Sequence, residues 1–145
     1  MAQVERSLAC LRIHGEDLDP EEITRLLVAT PTETVRKGEE TYVCKRTGYV
    51  RIAKAGMWSL RASERTPEDL DSQIEEILGQ ATGDLSVWRS LGEKYPMDLF
   101  CGLFLGVSNE GMSLTAKSLA ALGERGIELE LDIYSGGDED DEAGT

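Results

Sequence analysis

The sequence predicts an α+β fold: a mainly antiparallel sheet with helices on one face, ferredoxin-like and extended by an added helix–strand unit. Three observations predict it. Helix-capping signatures recur along the chain, separated by short β-rich runs. The last regular run, IELELDIY (127–134), alternates apolar and polar residues without a break, as a strand with one dry and one wet face must. Finally, LACLRIHG and LFCGLFLG are strand-like runs that each end in glycine and lead into a capped helix. LDPEEITRLL (18–27) aligns without gaps to LTAKSLAALG (114–123), pairing Ile23 with Leu119 and Leu26 with Leu122, which suggests an internal pseudo-repeat.

The elements follow in order. After the first strand, GEDLDPEEITRLL (15–27) packs five carboxylates into thirteen residues, and helix-start chemistry accounts for them. Asp19 is a natural N-cap, Pro20 suits N1, and Glu22 at N3 completes a capping box. Leu18 and Ile23 are spaced as a hydrophobic staple, and Ile23, Leu26 and Leu27 form the buried stripe. A calcium loop would need spaced oxygen ligands around a central glycine, which this stretch lacks. TYVCK (41–45) and YVRIAK (49–54) flank Arg46-Thr47-Gly48 as a hairpin, and MWSLRA (57–62) follows as a further strand. Thr66-Pro67-Glu68-Asp69 repeats the cap-and-proline signature ahead of a helix with Leu70, Ile74, Ile77 and Leu78 on one face. A shorter helix starts at the cap Asp84, turns Leu85, Trp88 and Leu91 inward, and stops at Pro96. The strand through LFCGLFLG, the helix capped by Thr115 and the alternating strand 127–134 complete the order.

These elements together resemble a bacterial family known as domain of unknown function 4279. The resemblance is carried by "DLDPEEIT" after the glycine-ended strand, by "TPT" and "KGE" (30–32 and 37–39), by "GMWSL" (56–60), by "TPEDLD", and by the closing pattern "LxxLGERGIELELDIY". It spans residues 8–134 and implies a compact single-domain protein. It brings no established activity, so no catalytic residue is carried over.

The 145-residue length fits one domain, residues 1–134, while the tail 135–145, SGGDEDDEAGT, is too polar to pack and is expected to be disordered. The start MAQVERSL lacks a signal-peptide pattern and no run is long enough to span a bilayer, so a soluble cytoplasmic protein is expected. Three dispersed cysteines, Cys10, Cys44 and Cys101, with a single histidine, argue for reduced thiols and against a disulfide framework or structural zinc. The net charge is −13, yet residues 36–65 hold eight cations against three glutamates. Such a charge distribution disfavours nucleic acid as a partner and favours a basic protein surface.

No phosphate-binding glycine loop, nucleophile elbow, zincin motif or zinc-deaminase pattern occurs, so no catalytic residue, cofactor or metal is assigned. Cys10 and His14 lie four apart on one strand, roughly 13 Å from each other, too far to act as a pair; Cys101 could meet His14 only through strand pairing.

The polar face of the sheet is the candidate site. Strand parity places Arg12 and His14 on it, with Glu128, Glu130, Asp132 and Tyr134 of the last strand; from MWSLRA, either Trp58 and Leu60 or Ser59 and Arg61 join them. The bland alternative is a solvated face held by cross-strand charge pairs such as Arg12 with Glu130, and Trp58 equally suits the core. The candidate binding residues are therefore Arg12, His14, Trp58, Arg61, Glu130, Asp132 and Tyr134. Two functions fit: a non-catalytic protein-binding module, immunity-type or regulatory, engaging a basic partner; or a small polar ligand-binding or weakly catalytic domain using that face.

Overall fold

The computed structural model describes residues 4–44 and 46–135; the acidic tail beyond Ser135 lies outside them, as do the side chains of residues 42–44. The fold is α+β. Its strands are β1 (Arg6–Gly15), β2 (Glu33–Val35), β3 (Glu40–Cys44), β4 (Tyr49–Ile52), β5 (Gly56–Arg61), β6 (Met97–Phe104) and β7 (Glu128–Tyr134). Its helices are α1 (Pro20–Leu27), α2 (Leu70–Gly79), α3 (Leu85–Lys94) and α4 (Ala116–Glu124). None of them is long and apolar enough to cross a membrane.

The main sheet runs β2–β5–β1–β6–β7. Its first three pairings are antiparallel, and β6 with β7 is parallel. That parallel pair is the added helix–strand unit, because α4 carries the chain back between its two strands. Along β1 burial alternates at every residue: Ser7, Ala9, Leu11 and Ile13 face the helices, and Arg6, Leu8, Cys10, Arg12 and His14 face away. The helices deliver Ile23, Leu27, Leu70, Ile74, Ile77, Trp88, Leu91 and Leu122 onto the first set, together with Trp58 and Leu60 of β5 and Leu99, Cys101 and Leu103 of β6. A single core results, on one side of the sheet.

The opening carboxylates do cap a helix. Asp19 accepts the amide of Glu21 at 3.1 Å, with Pro20 at the first helical position, and Leu18 and Ile23 are both buried. Such a cap is worth about 1 kcal/mol. Leu26, expected in the stripe, is 37% exposed because the helix buries Ile23 and Leu27 instead. The residue after the last turn, Val28, takes φ 54° and is largely solvent-exposed. α4 buries Ser118 and Leu122, so Leu119, aligned with Ile23 in the sequence, is 49% exposed. The two strand–helix units share a design, but their buried stripes are out of register.

Other expectations shift. α2 is capped by Asp69, whose side chain accepts from the amide of Ser72, and Thr66-Pro67 is a cis turn outside the helix. The reason is local: the amides of Glu68 and Asp69 are already donated to Val4 O and Ser7 Oγ. The hairpin β3–β4 forms, with an irregular register at Tyr42 and Cys44, but as a separate two-stranded sheet. β2, three residues long, is an edge strand with no pattern to announce it. Gly56 opens β5 beneath Leu18, where a Cβ would stand 2.6 Å from the Leu18 carbonyl oxygen.

Two carboxylates bind the helices to their surroundings. Glu76 is held below the ordinary glutamate range by the hydrogen bond from Arg65, at 2.8 Å, and by the Ser63 amide. Burial raises the Asp71 carboxyl, but hydrogen bonds from Ser118 and from the Thr115 amide and hydroxyl outweigh it and leave it lowered. A carboxyl lowered in the folded state binds its proton more readily in the unfolded chain, so its contribution is full above the unfolded value and is lost as pH falls through the folded one. Urea denaturation from pH 7 down to pH 3 should show stability falling on acidification, and Glu76→Gln with Asp71→Asn should flatten that fall while lowering stability at pH 7.

Candidate functional site

Helices cover one side of the sheet; the other side is assembled in rows across the strands. Register places Arg12 between Ser59 of β5 and Asp98 of β6, with Glu128 beyond. The next row runs Arg61, Cys10, Phe100, Glu130; then Leu8, Gly102, Asp132; then Arg6, Phe104, Tyr134. Side chains of one row share a face because residues paired across a sheet point the same way.

Arg12 grips Asp98 through two parallel hydrogen bonds, Nε to Oδ1 at 2.8 Å and a terminal nitrogen to Oδ2 at 2.9 Å. Those bonds raise the Arg12 guanidinium above its ordinary value against the cost of burial, with Glu130 adding a smaller attraction. The guanidinium also lies 4.5 Å from the centre of the Phe100 ring. Further along, Arg6 sits 3.8 Å above the Phe104 ring, and Phe104 stacks on Tyr134 with centroids 4.6 Å apart. The Tyr134 hydroxyl donates to Asp132 at 2.7 Å, and that bond raises the phenol above its usual range.

Between these two ordered aromatic groups the floor drops. Gly102 has no side chain, and the depression over it holds about 330 Å³. Leu8, Cys10, Met57, Phe100 and Phe104 give it an apolar lining, with Arg12, Ser59, Arg61, Glu33 and Tyr134 supplying polar groups. Arg61 is half-exposed and only loosely held, 4.0 Å from Glu33. The Cys10 thiol is pushed above its ordinary value by burial, with Arg61 and Ser59 pulling the other way. A larger groove between α2 and α4, about 520 Å³, is lined by Asp69, Asp71 and Glu75, of which Asp71 is taken by Thr115 and Ser118, Asp69 caps α2 and Glu75 pairs with Lys117.

The sequence-predicted residues divide four ways. Arg12, Arg61 and Tyr134 line the depression; Glu130 and Asp132 stand beside it on the same face. His14 shares the face but lies at its far end, paired with Met57 beside Pro96. Trp58 is on the opposite side, fully buried, its Nε1 donating to Thr24 Oγ1 at 3.0 Å. It therefore forms no wall of this face; Ser59 and Arg61 are the outward pair of β5. Cys101 also turns to the helices, where burial pushes its thiol up to about 12, so it cannot meet His14.

The expected pairing of Arg12 with Glu130 is replaced by Arg12 with Asp98. β6 begins at Met97 and lies between β1 and β7, so Asp98 stands directly across from Arg12 and Glu130 is one strand further away. Phe100, Gly102 and Phe104 were missed as a set. Their spacing of two on one strand was the available signal. Among the described residues, no cluster of three or more His, Cys, Asp and Glu is placed to hold a metal ion.

Asp98 is nearly buried and Arg12 is its partner on this face. Removing only the arginine strands a carboxylate away from water. Arg12→Met should lower stability by about 1–3 kcal/mol, read by urea denaturation at neutral pH, and Asp98→Leu added to it should recover part of the loss.

No curated protein and no solved structure matches the chain. The family model described as a domain of unknown function, DUF4279, matches residues 3–136. The match covers nearly the full length, and the chain belongs to that family.

Proposed function

We propose that the chain is a non-catalytic binding module whose ligand seat is the depression over Gly102. The ligand class is a small molecule with a flat apolar body and one anionic group. The single observation that carries this reading is the pairing of an apolar floor with one loosely held cation. Phe100, Leu8 and Met57, with the edge of Phe104, offer apolar surface to a flat body, and Arg61 is the guanidinium with hydrogen-bonding capacity to spare. Arg12 is neutralised by Asp98, so it orders the Phe100 ring and leaves the anion to Arg61. Binding is favoured over chemistry because the thiol in the floor is shifted away from its reactive form and the histidine lies outside the depression.

A second reading has support in the unpaired acids of β7. Glu128 and Glu130 are exposed and form no ion pair among the described residues, which suits docking on a basic protein surface. Affinity for such a partner would fall steeply as salt rises.

1-Naphthoate, with 1-naphthamide as its neutral counterpart, tests the first reading by calorimetry and by protection of Cys10 from maleimide in a Cys44→Ser background. Naphthoate should bind and slow labelling at Cys10. Arg61→Ala should weaken it about tenfold, equivalent to about 1.4 kcal/mol, and the amide should bind wild type as weakly. Gly102→Val should abolish binding with the fold intact, since a Cβ there meets Phe104 and Leu8 only at ordinary contact distances, 3.4 and 3.8 Å. Equal binding of both probes, or naphthoate binding unaffected by Gly102→Val, would remove the proposal.

A further inference from the structure

We infer that the outer edge of β7 receives the β3–β4 hairpin of a second copy of this chain, which adds two strands to the main sheet and joins molecules head to tail. β7 is the last strand of the main sheet and, among the described residues, pairs with β6 along one edge only. Its other edge presents backbone donors and acceptors with no proline or bulge to block pairing, and its acids discourage a partner strand that is not basic. α4 covers only the start of the strand, so on the helix side Leu131 and Ile133 stay 48% and 57% exposed. On the opposite side Glu128, Glu130 and Asp132 form an acidic row. The edge thus asks for a strand that is apolar on one face and basic on the other.

β4 carries that pattern. Val50 and Ile52 lie on one face, and Tyr49 and Arg51 on the other, with Tyr49 and Ile52 61% and 53% exposed. Among the described residues β4 pairs only with β3, and the two form a sheet of their own. A two-stranded hairpin is marginal by itself in water, so addition to a third strand relieves that weakness. Arg46, Arg51 and Lys54 form no ion pair with any described residue. Matching period-two faces set Val50 and Ile52 beside Leu131 and Ile133, and Arg51 beside the acids.

The obvious rival is a two-fold pairing of β7 with β7. It would set acid opposite acid along the whole row, and like charges directly opposite each other destabilise a strand pair. The hairpin-to-edge contact is instead heterologous, using different patches on the two molecules, so it generates a ring or an open chain.

Sedimentation velocity over a hundredfold concentration range tests this, in about 0.15 M salt so that the mutual repulsion of the −13 charges is screened at long range. The wild type should gain mass with concentration. Arg51→Glu and Glu130→Arg should each move association to at least tenfold higher concentration, and the double variant should restore it. Monomer at every concentration, association indifferent to Arg51→Glu, or association strengthened by Glu130→Arg alone would each overturn the proposal; the last would identify the β7–β7 pairing. All three variants alter exposed side chains, so circular dichroism should match the wild type throughout.

Discussion

Gln73 is a fully buried amide on α2, and its hydrogen bonds decide which side of the sheet the helices occupy. Its oxygen accepts from Ser7 Oγ at 2.7 Å, and its nitrogen donates to the carbonyls of Ser7 and Ser63. Ser7 Oγ also accepts the Asp69 amide at the cap of α2. A polar amide without water must find partners, and burying one unpaired costs about 1–3 kcal/mol. This amide finds them only if α2 lies across the inward face of β1. Trp58 does the same for α1 through Thr24, and Asp71 of α2 reaches the cap of α4. These ties hold α1, α2 and α4 to one side, α3 joins them there by burying Trp88 and Leu91, and the other side is left to side chains alone.

On that other side the charges are not distributed to attract any one ion. Arg12 and Arg6 are committed to Asp98, Glu64 and the two phenylalanine rings, and Asp132 is committed to Tyr134. Each committed group holds a neighbour in place. What is left uncommitted is a polarised frame, with Arg61 toward β5 and the exposed glutamates toward β7. The depression lies over a missing side chain, and part of its apolar lining comes from Phe100 and Phe104, whose rings lie against Arg12 and Arg6.

Much of the architecture was legible because local chemistry and tertiary placement agree. Asp19-Pro20 reads as a helix start and is one; the alternation of β1 and of residues 128–134 gives the outward set directly. The candidate face was partly legible for the same reason. The phase of MWSLRA was legible in its composition, because Trp58, Leu60 and Ala62 are all apolar while Ser59 and Arg61 share the other phase with Met57; the Thr24 hydroxyl on α1 then receives the indole N–H of the inward tryptophan. Asp98 was hidden by its place between Pro96 and an apolar run, where the start of the strand is ambiguous by the two residues that matter. Gly102 and its flanking phenylalanines were hidden by β6 being apolar on both faces, which removes the alternation that distinguishes inside from outside. The identity of the edge strands depends on long-range pairing, which no local pattern encodes.

Odd-numbered and even-numbered residues of β1 serve separate masters. Leu11 and Ile13 answer to helix packing; Leu8 and Cys10 line the open depression, and Arg12 answers to Asp98. Descendants of this chain can therefore rewrite the floor, one alternate position at a time, while the interior that folds them is inherited unchanged. Substitution at Leu8 or Cys10 carries little risk to the interior, whereas Arg12 is tied to Asp98 and can change only with it.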